Sequence, residues 1–333
     1  MKVSFFELEK WEEKFLGERL SRHSLEFFSR ELTPGRAKKI PDSEAIAVFI
    51  YSQVSKKVLD ALPKLKLVAT MSTGFNHIDV AECKKRGITV CNVPTYGENT
   101  VAEHTFALLL AISRKIHLSY ERTQKADFSA KGLEGFDLKG KTIGVVGCGH
   151  IGEHVVRIAK GFEMNVLVTE KHPDKAKAKE LGFTYASFDE LLAKSDVLTF
   201  HVPLTPETKH MLNMENISKL KKGCVVINTS RGEVIETEAI LKGLSKGIIG
   251  GAGLDVLEGE CFIREEKQVL HEKFAKECDL RAVLRNHLLL KEPNVLITPH
   301  NAFNSREALQ RILETTIQNI AAFSKGKKIN AVN

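Results

Sequence analysis

The stretch Thr142-Ile143-Gly144-Val145-Val146-Gly147-Cys148-Gly149-His150-Ile151-Gly152 decides how this chain is read. Its apolar first half predicts a buried strand. Ile151, Val155, Ile158, Ala159 and Phe162 then recur at the spacing of one helix face. Between strand and helix the glycines follow the pattern G-x-G-x-x-G. The first allows a tight turn, the second lets a pyrophosphate approach the backbone, and the third lets helix and strand pack closely. Unpaired N–H groups and the dipole at such a helix start attract anions. The next apolar run, Asn165–Thr169, ends at Glu170, eighteen residues past Gly152. A carboxylate there accepts hydrogen bonds from adenosine ribose hydroxyls and repels a 2′-phosphate, so NAD is the expected cofactor. The turn alone also fits a bare strand–helix corner, and S-adenosylmethionine enzymes use a similar turn and acid.

Outward from this turn, short apolar runs alternate with helical segments. Before it, strands are expected at Val3–Phe6, Ala45–Ile50, Leu65–Thr70 and Ile88–Cys91, with helices around Lys10–Leu20, Lys56–Leu62 and Ile78–Lys85. A single longer helix is expected from Thr100 to near Arg122. After the turn, strands are expected at Val197–His201, Cys224–Asn228, Ile248–Asp255 and Val295–Thr298. Ser187 with Glu190 is a capping-box pattern opening a further helix. Such alternation predicts an α/β protein of parallel sheets with helices on both faces. The expected architecture is two doubly wound, Rossmann-like or flavodoxin-like domains. The final helix, Ser305–Phe323, is expected to rejoin the first, giving domains of 1–99 plus 299–333 and of 100–298.

With 333 residues, 43% hydrophobic and 27% charged, the chain has the composition of an ordinary globular protein of about two domains. Its longest apolar run, Phe106–Ile112, falls far short of the ~20 residues a membrane span needs. The N-terminus interleaves Phe5 and Phe6 with Glu7, Glu9, Glu12 and Glu13, so no signal peptide is expected and the compartment is expected to be the cytoplasm. The six cysteines include no C-x-x-C pair, which favours packed reduced thiols over metal or disulfides. The net charge of +7 is dispersed among acids. That argues for a solvated surface and a small anionic ligand rather than nucleic acid.

Asn228-Thr-Ser-Arg-Gly232, Gly253-Leu-Asp-Val-Leu-Glu-Gly-Glu260 and Thr298-Pro-His300 follow the glycine turn in that order. Together with Ser72-Thr-Gly-Phe-Asn-His-Ile-Asp79 and Val101-Ala-Glu-His104, they resemble the D-2-hydroxyacid dehydrogenase family over most of the chain. Within it the resemblance is nearest the D-lactate dehydrogenases. Tyr96 and Phe303 fall where those enzymes hold substrate-contacting aromatic residues, and an insertion from Cys261 to near Lys291 occupies a place where they also carry extra residues. Two departures stand out. The family commonly has Asp where this chain has Glu170, and Asn301 and Asn304 flank Phe303 without a counterpart.

The resemblance implies two domains with the active site in the cleft between them, a homodimer through the NAD-binding domain, and a catalytic set of Arg231, Glu260 and His300. His300 would be the acid for the substrate carbonyl, since histidine exchanges protons near neutrality. Glu260 would hydrogen-bond it and favour the imidazolium, with Glu258 a local competitor for that role. Arg231 would hold the substrate carboxylate through paired hydrogen bonds and polarise the keto oxygen. Thr73 and Gly74 would offer backbone N–H groups to the same carboxylate. Cofactor contacts are implied at Thr100, Gly147, Gly149, His150, Ile151, Gly152, Glu170, Val202, Pro203, Thr208, Thr229, Ser230, Arg231, Asp255 and His300, with Asp255 near the nicotinamide amide. The remaining histidines include His104 and His117, expected to be packed or interfacial. The expected reaction is NAD-dependent interconversion of pyruvate and D-lactate. Alternatives are another 2-hydroxy acid (bulkier, or glyoxylate/hydroxypyruvate), a dinucleotide-sensing corepressor-like binding protein, or a methyltransferase.

Overall fold

Apolar runs that alternate with helices do build two parallel sheets. The computed structural model describes residues 1–259 and 280–333. Glu260 and most of the insertion from Cys261 therefore lie outside the described residues. The chain divides into one unit of Met1–Tyr96 with Ser305–Asn333 and another of Gly97–Asn304. His300 and Phe303 thus belong to the second unit.

The first unit holds β1 (Lys2–Phe6), β2 (Ser24–Phe28), β3 (Ala45–Val48), β4 (Leu67–Thr70) and β5 (Thr89–Cys91). They pair in the order β2-β1-β3-β4-β5, all parallel. The central strands β3 and β4 are buried at every residue, as a sheet covered on both faces requires. The edge strand β2 was not legible as a strand, because Ser24-Leu-Glu-Phe-Phe28 carries no clean alternation. Its pairing with β1 and the stacking of Phe28 on Phe6, ring centroids 4.8 Å apart, hold it in place.

The C-terminal helix, Arg306–Ser324, starts at Ser305, whose hydroxyl accepts from the Ala308 N–H at 3.1 Å. It buries Ile312, Leu313, Thr316 and Ile320 in this first unit, and Asn319 Nδ2 donates to the Asn92 carbonyl at 2.9 Å. Beyond it, Ala331 bridges Cys91 in the antiparallel sense, beside β5.

The second unit holds β6 (Thr142–Val146), β7 (Asn165–Thr169), β8 (Thr184–Tyr185), β9 (Val197–Phe200), β10 (Cys224–Asn228), β11 (Ile249–Leu254) and β12 (Val295–Ile297). Their order is β12-β11-β10-β9-β6-β7-β8, again all parallel. Two hydrophobic cores form, one around Phe200, Leu212, Val226 and Leu254 and the other around Phe106, Leu109, Val145 and Val168. Among the described residues no helix is long and apolar enough to cross a membrane. The described cysteines, Cys83, Cys91, Cys148 and Cys224, are buried and unpaired. Burial pushes the first three thiols up to about 11 and Cys224 up to about 12.

The long helix expected from Thr100 to Arg122 is instead two helices, Glu98–Ser113 and Ile116–Gln124. The break is at Lys115, in the left-handed region at φ 51°. No glycine or proline announces it. A distant loop imposes it: the Phe136 N–H donates to the Ser113 carbonyl at 2.9 Å, and Lys115 Nζ donates to the Gly132 carbonyl at 3.0 Å. A straight continuation would need that Ser113 carbonyl for its own hydrogen bonding.

Candidate active site

The glycine turn joins β6 to the helix His150–Gly161 and gives each glycine a separate steric reason. Gly147 sits at φ 90°, and a Cβ on it would stand 2.7 Å from Val202 Cγ1 and 2.8 Å from the His201 carbonyl oxygen. A Cβ on Gly152 would run into the Gly147 carbonyl oxygen, so helix and turn touch there. A Cβ on Gly149 would meet nothing within 4 Å, leaving the backbone at the helix start open. An open helix start between two sterically required glycines fits a pyrophosphate.

Glu170 lies at the end of β7 beside this turn. Its Oε2 accepts from the Cys148 N–H at 2.7 Å and its Oε1 from the Lys171 N–H at 2.9 Å. Neighbouring Lys177 pairs with Glu153 at 2.5 Å and donates to the Cys148 carbonyl at 3.3 Å. Val202 and Pro203 leave β9 next to Gly147. The Thr208 hydroxyl donates to the Pro203 carbonyl at 2.6 Å and accepts from the Thr205 N–H at 2.8 Å, which closes that loop.

At the end of β10, Asn228 shapes the loop that carries Arg231. Its Nδ2 donates to the Arg231 carbonyl at 2.9 Å, while its Oδ1 accepts from the Ser230 N–H at 3.0 Å and the Ser230 hydroxyl at 2.8 Å. Thr229 meets Thr105, hydroxyl to hydroxyl, at 3.0 Å. The Arg231 side chain is exposed and turns back to the Ser230 carbonyl at 2.6 Å. Asn228 had no assigned role from sequence. An asparagine at a strand end, two residues before a serine, was the available signal.

Asp255, at the end of β11, is the hub of the His300 segment. Its Oδ1 accepts from the Thr298 hydroxyl at 2.5 Å and the Asn301 N–H at 2.9 Å, and its Oδ2 accepts from the Ala302 N–H at 2.9 Å. The His300 N–H donates to the Asp255 carbonyl at 2.9 Å. His300 itself sits at φ 54°, disfavoured for a residue with a Cβ and held here by those bonds. His104 adds a second support: its Nε2 is 3.1 Å from Thr298 Oγ1 and 3.6 Å from Asp255 Oδ1. His117 instead meets the Pro293 carbonyl at 3.0 Å, away from this cluster.

Glu258 is engaged elsewhere. His210 Nε2 lies 2.6 Å from its Oε1, and the Thr237 N–H and hydroxyl donate to its Oε2 at 3.2 and 3.0 Å. Burial would raise its pKa, but the His210 and Thr237 hydrogen bonds outweigh that and hold it below the usual carboxylate range.

In the first unit, the loop after β4 presents Thr73 and Gly74. The Thr73 hydroxyl donates to the Val93 carbonyl at 2.8 Å, Asn92 Nδ2 to the Thr73 carbonyl at 2.9 Å, and the Ser72 hydroxyl to the Gly74 carbonyl at 2.7 Å. Among the described residues no hydrogen bond takes up the Thr73 or Gly74 N–H, so two donors stand ready for an anion. His77, 3.1 Å from the Thr70 hydroxyl, is pushed down to about 4 by burial and is neutral near pH 7. The Tyr96 carbonyl accepts from Arg311 Nε at 2.5 Å. In the second unit, Thr100 is buried in the first turn of its helix, and Phe303 packs against Gly97.

The family model for the D-isomer specific 2-hydroxyacid dehydrogenase NAD-binding domain matches residues 106–302. The chain belongs to this family.

This dehydrogenase is 37% identical to D-lactate dehydrogenase of Escherichia coli, over 98% of each chain. The apo structure of the Escherichia coli enzyme superposes with a TM-score of 0.86 over all of both chains, at 36% identity. Glyoxylate reductase of Pyrococcus furiosus is 33% identical over 97% of this chain and 87% of that one. The structure of D-lactate dehydrogenase from Aquifex aeolicus complexed with NAD and lactic acid matches at a TM-score of 0.82 and 36% identity, over 97% and 96% of the two chains. NAD is the cofactor of the family domain, and the open Gly149 backbone beside Glu170 fits it.

The different surroundings of the glycines separate binding from folding. Gly149→Ala should fold with an unchanged melting temperature and weaken NADH about tenfold or more, the loss of a backbone contact to a charged group. Gly152→Ala should lower stability by about 1–3 kcal/mol through overpacking. Thermal denaturation and NADH fluorescence titration of the two variants check both outcomes.

Proposed function

We propose that this dehydrogenase is an NAD-dependent D-lactate dehydrogenase that reduces pyruvate to D-lactate and catalyses the reverse. The observation that supports this most is the His300 segment, pinned by Asp255 through three backbone N–H groups and the Thr298 hydroxyl. A proton donor held that firmly acts from one position.

In the proposed reaction the bound NADH supplies a hydride to the keto carbon. His300 gives its proton to the carbonyl oxygen as negative charge develops there, and Glu260 orients the imidazole. Arg231 grips the carboxylate and polarises the keto oxygen, with the free N–H groups of Thr73 and Gly74 as further donors and Tyr96 and Phe303 as apolar contacts. The nucleotide is held by Gly147, Gly149, His150, Ile151 and Gly152 at the pyrophosphate and by Glu170 at the ribose. Val202, Pro203, Thr208, Thr229, Ser230, Asp255 and Thr100 make the remaining contacts. The first unit is the substrate domain and the second the NAD-binding domain.

The likeness to a glyoxylate reductase favours one second reading, the same chemistry on glyoxylate. Steady-state kinetics with NADH across pyruvate, glyoxylate, hydroxypyruvate and branched 2-keto acids should rank pyruvate first in kcat/KM. Glyoxylate ranking well above pyruvate would reverse the assignment. His300→Ala should lower kcat by about 10²–10⁴-fold and leave NADH affinity nearly unchanged. Near-normal turnover in that variant would mean that another group is the acid.

We place the enzyme in the cytoplasm as a homodimer through its NAD-binding domain. Ile116, Tyr120 and Phe128 are exposed at 57%, 64% and 83%, apolar surface that a partner subunit would cover. Sedimentation should find a dimer for the parental protein and a monomer for Tyr120→Asp combined with Phe128→Asp.

A further inference from the structure

The strand order β2-β1-β3-β4-β5 reverses direction between β1 and β3, and in such sheets ligands lie in the crevice outside the carboxyl ends of those two strands. Here the chain fills that crevice itself. Glu7, the residue after β1, has the left-handed backbone φ of 64°, disfavoured for a residue with a Cβ. Its carboxylate turns onto the segment that leaves β3. Oε2 accepts from the Phe49 N–H at 2.6 Å and the Ser52 hydroxyl at 3.0 Å, and Oε1 accepts from the Tyr51 N–H at 2.8 Å. The Ser52 oxygen in turn accepts from the Leu32 N–H at 2.8 Å. Two convergent N–H groups and a hydroxyl make an anion-binding concavity.

The segment so held adjoins the anion-binding loop of the proposed site. The Met71 N–H donates to the Val48 carbonyl at 2.8 Å, tying the ends of β3 and β4 together immediately before Phe49 and before Ser72-Thr73-Gly74. Val54, just past the segment, pairs with the same β4 loop: its N–H donates to the His77 carbonyl at 2.8 Å, and its carbonyl accepts from the Asp79 N–H at 3.0 Å.

We infer that Glu7 is a positioning residue, a built-in anion in the β1/β3 crevice that sets the place of Phe49–Ser52 and through it the affinity for the keto acid. The effect on affinity rests on the proposed role of Thr73 and Gly74; the clamp itself does not.

A carboxylate that works as a captive ligand can be replaced by a free one. Glu7→Ala should raise KM for pyruvate about tenfold with kcat changed far less, the signature of lost ground-state binding. Added formate or acetate should restore much of that loss in Glu7→Ala and give the parental enzyme no gain. Glu7→Gln fills the same space but sets an amide NH2 against an N–H donor, so it should also raise KM and should not respond to formate. Amide exchange at Phe49 and Tyr51 should quicken in both variants and slow with formate in Glu7→Ala alone. An unchanged KM in folded Glu7→Ala, or a raised KM and fast exchange that neither anion reverses, overturns the inference. If the amides respond as described but the parental protein reduces no 2-keto acid, the clamp stands and the proposed function falls.

Discussion

Every strand in each sheet runs in the same direction, and the arrangement of the candidate site follows from that constraint. A parallel pair cannot close with a tight hairpin, so each strand is followed by a crossover that returns over one face. All the carboxyl ends of a sheet therefore share one edge, and every loop that leaves a strand begins there. In the second unit Gly147, Glu170, Val202, Thr229 and Asp255 follow β6, β7, β9, β10 and β11 in this way. In the first, Glu7, Phe49 and Thr73 leave β1, β3 and β4. Chemistry dispersed along the chain is collected by strand direction alone.

Within that edge, buried polar side chains decide how each loop sits. Asp255 is 2% exposed, and a buried carboxylate is costly unless hydrogen bonds meet its oxygens. The Thr298 hydroxyl and the Asn301 and Ala302 N–H groups do so, and the cost of burial becomes rigidity for the segment around His300. Asn228 does the same for Ser230 and Arg231 with a neutral amide. Glu258 shows the converse. Its pairing with His210 and Thr237 anchors the helix start at Thr237 and engages both of its oxygens.

The elements missed from sequence share a physical cause. The strand Ser24–Phe28 is stabilised by its neighbour β1 and by one aromatic stack, neither of which writes a period into its own residues. The break at Lys115 is enforced by Gly132 and Phe136, some twenty residues away in sequence. The glycine turn was legible because a tight turn, an open backbone and a close packing contact each demand the same small residue, and their spacing is local. His104 was not, because nothing near it in sequence shows that Thr298 and Asp255 stand opposite.

The sequence by itself determined the α/β class, the parallel sheets, the glycine turn between β6 and its helix, and the return of the last helix to the first unit. These follow from local periodicity and from residue types that only one backbone geometry tolerates. Tertiary structure alone decided which polar groups converge: Asp255 beneath the His300 segment, Asn228 inside the Arg231 loop, Glu258 turned to His210, and Glu7 filling the β1/β3 crevice. Hydrogen bonds between residues dozens of positions apart depend on how strands are ordered in space, and that order is a property of the packed sheet rather than of any stretch of chain.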